Sequence, residues 1–194
     1  MPAFPLTKGR LSLMRSASLL ALLVLPVFGQ HFKNPDTLGP DVPTPPQVID
    51  RMLTAAHLKA GETLYDLGCG EGRVVIMAAQ KFGAHAVGIE LSPDLSEKTS
   101  AHVKQLGLGN LITIIQGNAL HYDLSAADVV TIYFLTSSNE RLRPVFERTL
   151  KPGTRVVSHD YEIRGWQPAV KETMSVGGQM HTIYVYNVGH HKAG

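Results

Sequence analysis

Only one cysteine, Cys69, occurs in 194 residues. That excludes a disulfide framework and any metal site built on cysteines. An excess of charge is missing too: 18 Lys and Arg stand against 16 Asp and Glu, a net charge of +2 with neutral histidines. Nothing here implies a basic surface, so there is no electrostatic case for nucleic acid as a partner. Acidic residues are absent before Asp36, while Lys8, Arg10 and Arg15 precede an apolar run from Ala17 to Phe28. The run is too short for a typical membrane span, which takes about 20 apolar residues, and it fits the apolar region of a signal peptide. Val27-Phe28-Gly29 places cleavage before Gln30, and a start at Met14 gives a more compact leader. Residues 1–29 are therefore read as a signal peptide or membrane anchor that exports the chain or ties it to a membrane. A mitochondrial transit peptide, also basic and acid-poor, or a cytoplasmic chain is the alternative.

With 44% hydrophobic residues the remainder suffices for one domain with a sizeable core. Residues 30–46 are polar and proline-rich and read as a linker, with the domain spanning 47–189. Thr44 suits a helix N-cap and Pro45 the first helical position; Val48, Met52, Ala55 and Ala56 make the apolar face of that helix, closed by Gly61. The helix either covers a ligand mouth or simply packs.

The chemistry centres on Leu64-Tyr65-Asp66-Leu67-Gly68-Cys69-Gly70-Glu71-Gly72-Arg73, which leads into Val74-Val75-Ile76. This reads as strand, tight turn and helix, the first half of a βαβ unit. Glycines at 68 and 70 let the backbone turn sharply and approach a ligand. The turn amides form a concave donor site for an anion. The dinucleotide fingerprint G-x-G-x-x-G fits poorly, because Arg73 stands where its third glycine belongs. Asp66 instead suits the ammonium of an amino-acid moiety. A second strand, Ala86-Val87-Gly88-Ile89-Glu90, ends on an acid placed for the two hydroxyls of a ribose. An amino acid at one end and a ribose at the other describe S-adenosylmethionine.

Ser92-Pro93-Asp94 starts a helix that runs to about Leu106. Residues 111–116, 128–135 and 154–160 read as further strands, with a helix over 139–150 between the last two. Residues 171–176 and 181–186 read as a hairpin joined by Gly177-Gly178-Gln179-Met180. In an open α/β sheet, ligands lie beyond the carboxyl ends of the strands. That leaves the ends at 133–138 and 158–161 for an acceptor.

Asp-x-Gly-x-Gly-x-Gly followed by Glu90 resembles the class I methyltransferases. The resemblance implies a Rossmann-like, doubly wound α/β sheet of about seven strands with the last strand antiparallel. Val42-Pro43-Thr44-Pro45, residues 65–73, Asn139-Glu140-Arg141-Leu142-Arg143-Pro144 and Lys151-Pro152-Gly153-Thr154-Arg155-Val156-Val157-Ser158-His159-Asp160 narrow it. Together they look like the family of the lysine methyltransferases of the ATP synthase c subunit and the adenine nucleotide translocase, with its bacterial relatives. Carried over by position, the resemblance assigns Asp66, Gly68, Cys69, Gly70, Glu90, Leu91, Asn118, Ala119 and Tyr133 to S-adenosylmethionine. Asn118 is an adenine contact or an ordinary turn residue. The resemblance assigns Thr44, Pro45, Asn139 and Trp166 to the substrate and Ser158, His159 and Asp160 to catalysis, with no metal. The last three either handle the acceptor's proton or only cap a strand, and three adjacent residues cannot form a hydrolase triad. The expected function is N-methylation of a protein lysine, with membrane association through residues 1–29. A small-molecule methyltransferase, an exported non-catalytic domain and a nicotinamide-dependent oxidoreductase are the alternatives. The last is disfavoured by Arg73 and by the lack of a Tyr-x-x-x-Lys dyad.

Overall fold

A computed structural model describes residues 1, 37–39 and 42–190. The leader expected over residues 1–29 lies almost wholly outside the described residues. Among these, no helix is long and apolar enough to cross a membrane.

The order of elements is α1 (Pro46–Ala55), β1 (Thr63–Leu67), α2 (Arg73–Phe82), β2 (His85–Glu90), α3 (Pro93–Gln105), β3 (Ile112–Gln116), a short 3-10 turn (Ala119–His121), β4 (Val129–Ile132), α4 (Thr136–Thr149), β5 (Arg155–His159), β6 (Val170–Val176) and β7 (Gln179–Asn187). The seven strands form one sheet in the order β3-β2-β1-β4-β5-β7-β6. The first five are mutually parallel, and β7 inserts antiparallel between β5 and β6. This is the class I methyltransferase sheet.

Successive strand residues feed two apolar clusters. Leu64, Val129 and Val157 join α1 and α2 in one, whereas Tyr65, Val130 and Val156 join Leu142 and Phe146 of α4 in the other. The alternation follows from the period of two along a strand. The central strands β1, β4 and β5 are buried over nearly their whole length, as parallel strands covered on both sides must be.

Several boundaries differ from expectation. Pro45, not Thr44, caps α1, and the Thr44 hydroxyl lies 3.3 Å from His159 Nδ1 instead. Strand β4 stops at Ile132 rather than Leu135. Tyr133 and Phe134 thereby leave the sheet and line a cavity, and α4 begins three residues earlier than its polar first turn suggested. The hairpin turn is the two residues Gly177-Gly178, both at positive φ, with Val176 opposite Gln179. Two successive left-handed residues match the strand twist, which is why a tighter turn wins over a four-residue loop. Leu38, inside the stretch read as linker, is 6% exposed and belongs to the second apolar cluster.

Both clusters are built between Leu38 and Val188. A chain beginning at Gln30 is therefore expected to unfold in one cooperative thermal transition with an unchanged midpoint. A midpoint several degrees lower would show that residues 1–29 contribute to the fold.

Candidate functional site

A cavity of about 870 Å³ opens at the carboxyl ends of β1, β2 and β4, within the ~300–1,000 Å³ range of small-molecule clefts. Asp66 stands at its floor, buried, opposite Thr131 in the β1–β4 register. The Thr131 hydroxyl donates to Asp66 Oδ1 at 2.7 Å. Burial pushes the Asp66 carboxyl up to about 7, against the pull of that hydrogen bond, and the nearby charge of Glu90 adds to the rise. An acid so placed is held in need of a cation.

The turn after Asp66 is anchored from below. The N–H groups of Gly68 and Cys69 donate to Ile89 O at 2.8 and 3.1 Å, and the Thr99 hydroxyl donates to Gly70 O at 2.7 Å. Gly68 has φ +72, and a Cβ there would stand 2.8 Å from the Phe134 ring. Only glycine meets both demands. On β2, a Cβ at Gly88 would lie 2.6 Å from Cys69 Sγ, so this strand glycine is the socket into which the cysteine packs. Burial pushes the Cys69 thiol far above its ordinary range, which makes it a packing group rather than a nucleophile.

Glu90 closes the far side of the turn, accepting from Gly70 N–H at 3.0 Å and from Ser92 N–H at 2.8 Å. Its two oxygens are thus oriented by backbone, with lone pairs left for hydroxyl donors. Asn118 Oδ1 accepts from Leu120 N–H at 2.9 Å, fixing the short turn after β3. Asp66, Gly68, Cys69, Gly70, Glu90, Leu91, Asn118, Ala119 and Tyr133 all line the cavity, as does Thr44. Glu90→Ala is expected to weaken binding of S-adenosylhomocysteine by about 1.5–3 kcal/mol, the value of a charged hydrogen-bonding group. Calorimetry checks it, and an unchanged dissociation constant would remove Glu90 from the site.

The remaining expected positions divide. The Ser158 hydroxyl donates to the Tyr161 carbonyl, and Asn139 Nδ2 donates to the carbonyls of Tyr161 and Glu162 at 3.1 and 3.2 Å. Both side chains are fully buried. They hold the loop after β5, and neither lines the cavity. Trp166 is 6% exposed, packs against Phe146 and Tyr186, and donates to Glu147 Oε1 at 3.3 Å. Its large apolar surface places it in the core instead of at the mouth. Pro45 caps α1 and does not line the cavity.

His159 and Asp160 lie behind Tyr133. The His159 ring lies 3.9 Å from that of Tyr133, tilted by 33°, and is wholly buried. Burial holds its pKa down to about 4, with Asp160 pulling it up and His181 pushing it lower, so it is neutral at pH 7. Asp160 is bent into the left-handed region at φ +60. Its Oδ1 accepts from Thr182 N–H at 2.7 Å, and the Tyr133 hydroxyl donates to Oδ2 at 3.4 Å.

Thr131, Phe134, His181 and Leu38 escaped the sequence reading. Thr131 carried a signal, being the polar residue within an apolar strand; His181 carried none, because only the pairing of β7 with β5 brings it to His159.

The family model described as the ANTKMT methyltransferase domain matches residues 66–170. The chain is 46% identical over 156 residues to a protein-lysine N-methyltransferase of Saccharolobus islandicus (strain REY15A), covering 79% of this chain and 96% of the relative. Among solved structures it is similar to an RNA methyltransferase from Salinibacter ruber in complex with S-adenosyl-L-homocysteine, at 43% identity and a TM-score of 0.69, over 76% of this chain and 95% of that one. TrmN from Thermus thermophilus, at 15% identity and a TM-score of 0.63 over 73% of this chain and 48% of that one, is a likeness of fold alone.

Proposed function

The chain belongs to the ANTKMT methyltransferase family and is an S-adenosylmethionine-dependent methyltransferase, and from this we propose that it methylates the side-chain nitrogen of a lysine in a protein. What carries this reading is the relative of that activity at 46% identity, matched over nearly its whole length. Among the described residues the charged groups lining the cavity are Asp66, Glu71, Glu90 and Arg73, and Arg73 is paired with Glu71 at 3.0 Å, so no cluster of bases stands there for phosphates.

The cofactor supplies a methyl group on a sulfonium centre. Asp66 would hold the ammonium of its amino-acid part, Glu90 the ribose hydroxyls, and Asn118 and Leu91 would border the base. The buried Asp66 carboxyl on the lining of the cavity fits the ammonium of such a ligand, and Glu90, its oxygens fixed by two backbone N–H groups, fits a pair of hydroxyls. The acceptor enters past Thr44 and Tyr133. A lysine has an ordinary pKa of about 10.4 and must arrive without its proton. Asp160 Oδ2, beside the Tyr133 hydroxyl, receives that proton or orients the amine. Holding amine and methyl at near-attack distance supplies most of the remaining advantage, ~7–11 kcal/mol in favourable cases.

Residues 1–29 are proposed to direct the domain to a membrane, where proximity selects the acceptor. Incubating the purified chain with methyl-labelled cofactor and separated protein, RNA and small-molecule fractions of its source cells tests the substrate. Label in lysines of proteins, found by mass spectrometry, is the expected result. Label confined to RNA or to small molecules would overturn the lysine reading and leave the methyltransferase assignment intact.

A further inference from the structure

Two imidazole nitrogens converge on one carboxylate oxygen where β5 meets β7. His159 Nε2 is 2.9 Å from His181 Nδ1 and 3.2 Å from Asp160 Oδ2, and His181 Nδ1 is 3.4 Å from the same oxygen. The three atoms form a nearly even triangle. Nitrogen and oxygen ligands bonded to one divalent cation at ~2.0–2.2 Å, with angles near 90–110°, stand about 2.9–3.5 Å apart. All three sides fall in that range. A single proton bridges only one side of such a triangle, while a cation above its centre serves all three corners.

The surroundings also suit a ligand set. The other atom of two of the three groups is already engaged: Asp160 Oδ1 by Thr182 N–H at 2.7 Å, and His159 Nδ1 by the Thr44 hydroxyl at 3.3 Å. A metal-bound imidazole characteristically directs its far nitrogen to such an outer partner. His181 is turned so that Nδ1 faces the triangle, although this leaves its Nε2 buried with no hydrogen-bond partner. Its orientation is not set by a bond elsewhere. Asp160 reaches the triangle from a left-handed backbone conformation, φ +60, which aspartate tolerates better than most residues other than glycine.

We propose that His159, Asp160 and His181 form a binding site for a divalent transition-metal ion. Two imidazoles and one carboxylate, with a fourth position open, are a donor set for zinc or for a neighbouring first-row ion. Tyr133, whose hydroxyl is 3.4 Å from Oδ2, stands between the triangle and the cavity it helps to line. The ion would use the oxygen proposed above for the acceptor amine, so metal loading and acceptor binding exclude one another. The site itself does not depend on what the acceptor is.

The test is cobalt(II) titration of the metal-stripped full chain carrying H190Q and H191Q, which removes the histidines of the tail. One equivalent is expected to bind with the intense visible absorption of low-coordinate cobalt and to be displaced by zinc. H181A and D160N are each expected to abolish that absorption while retaining the far-ultraviolet circular dichroism and the affinity for S-adenosylhomocysteine. Should H181A fail to fold, the near-isosteric D160N decides. No cobalt bound with low-coordinate absorption, or absorption that survives in D160N, would overturn the proposal.

Discussion

Asp66→Asn is expected to make the ligand-free protein more stable and nearly unable to bind its cofactor. In the wild type the buried carboxyl has its pKa raised from 3.8 to about 7. A raised carboxyl favours the folded state fully below its unfolded pKa and loses that contribution as pH rises through the folded one. At pH 8 the loss amounts to up to ~4 kcal/mol, at about 1.4 kcal/mol for each pH unit. Asparagine keeps the shape and never bears the charge, so the difference in melting temperature between variant and wild type should open from about pH 4, level off just above pH 7 and reach roughly 10 °C. Comparing the two proteins at each pH removes the opposite trend of His159, whose depressed pKa stabilises the fold above about 6.5 and ceases to do so as pH falls toward 4. Binding moves the other way. An ammonium brought against asparagine is left without its partner, a loss of about 3–5 kcal/mol in a buried site, or more than a hundredfold in affinity. Differential scanning fluorimetry across pH, with and without S-adenosylhomocysteine, reads both effects. A variant that binds as tightly as the wild type would mean that the cofactor's ammonium lies elsewhere.

Asp160→Asn should leave cofactor affinity unchanged and lower kcat about a hundredfold or more, the usual scale for losing a positioned proton acceptor. Its residual activity should climb as the pH approaches the ordinary lysine value of about 10.4, because the free amine then needs no acceptor. Tyr133→Phe, which removes only a 3.4 Å hydrogen bond to the same oxygen, should cost far less. An Asp160→Asn enzyme with wild-type kcat would confine Asp160 to holding Thr182 and the loop.

What could be read from the chain divides along a physical line. The cofactor half depends on one continuous stretch, residues 66–72, and on the ends of the next two strands, so local pattern suffices: a glycine turn after an acid has few uses. The acceptor half is assembled from β4, β5, α1 and β7, which come together only through sheet pairing. Hence local pattern does not reveal that Ser158 and Asn139 hold the loop after β5 or that Trp166 packs in the second apolar cluster. Tyr133 was expected, but its exit from β4 was not, because the apolar run 128–135 gives no sign of where the strand stops. His181 was invisible for the same reason: only its partner across the β5–β7 ladder gives it meaning.

The strand order also bears on how the chain is made. By the time residue 159 leaves the ribosome, the five parallel strands and their helices are complete, and the cofactor turn can form. Yet β5 then presents a bare edge of unpaired amides and carbonyls, and it remains bare until β7 has been synthesised through Asn187. Such an edge is open to strands of other chains. Asp160 shares the delay, since both its backbone N–H and its Oδ1 bond to Thr182. The nascent protein therefore acquires its cofactor half first and its acceptor half last, and a chain ending before β7 would be a sticky fragment unable to position an acceptor.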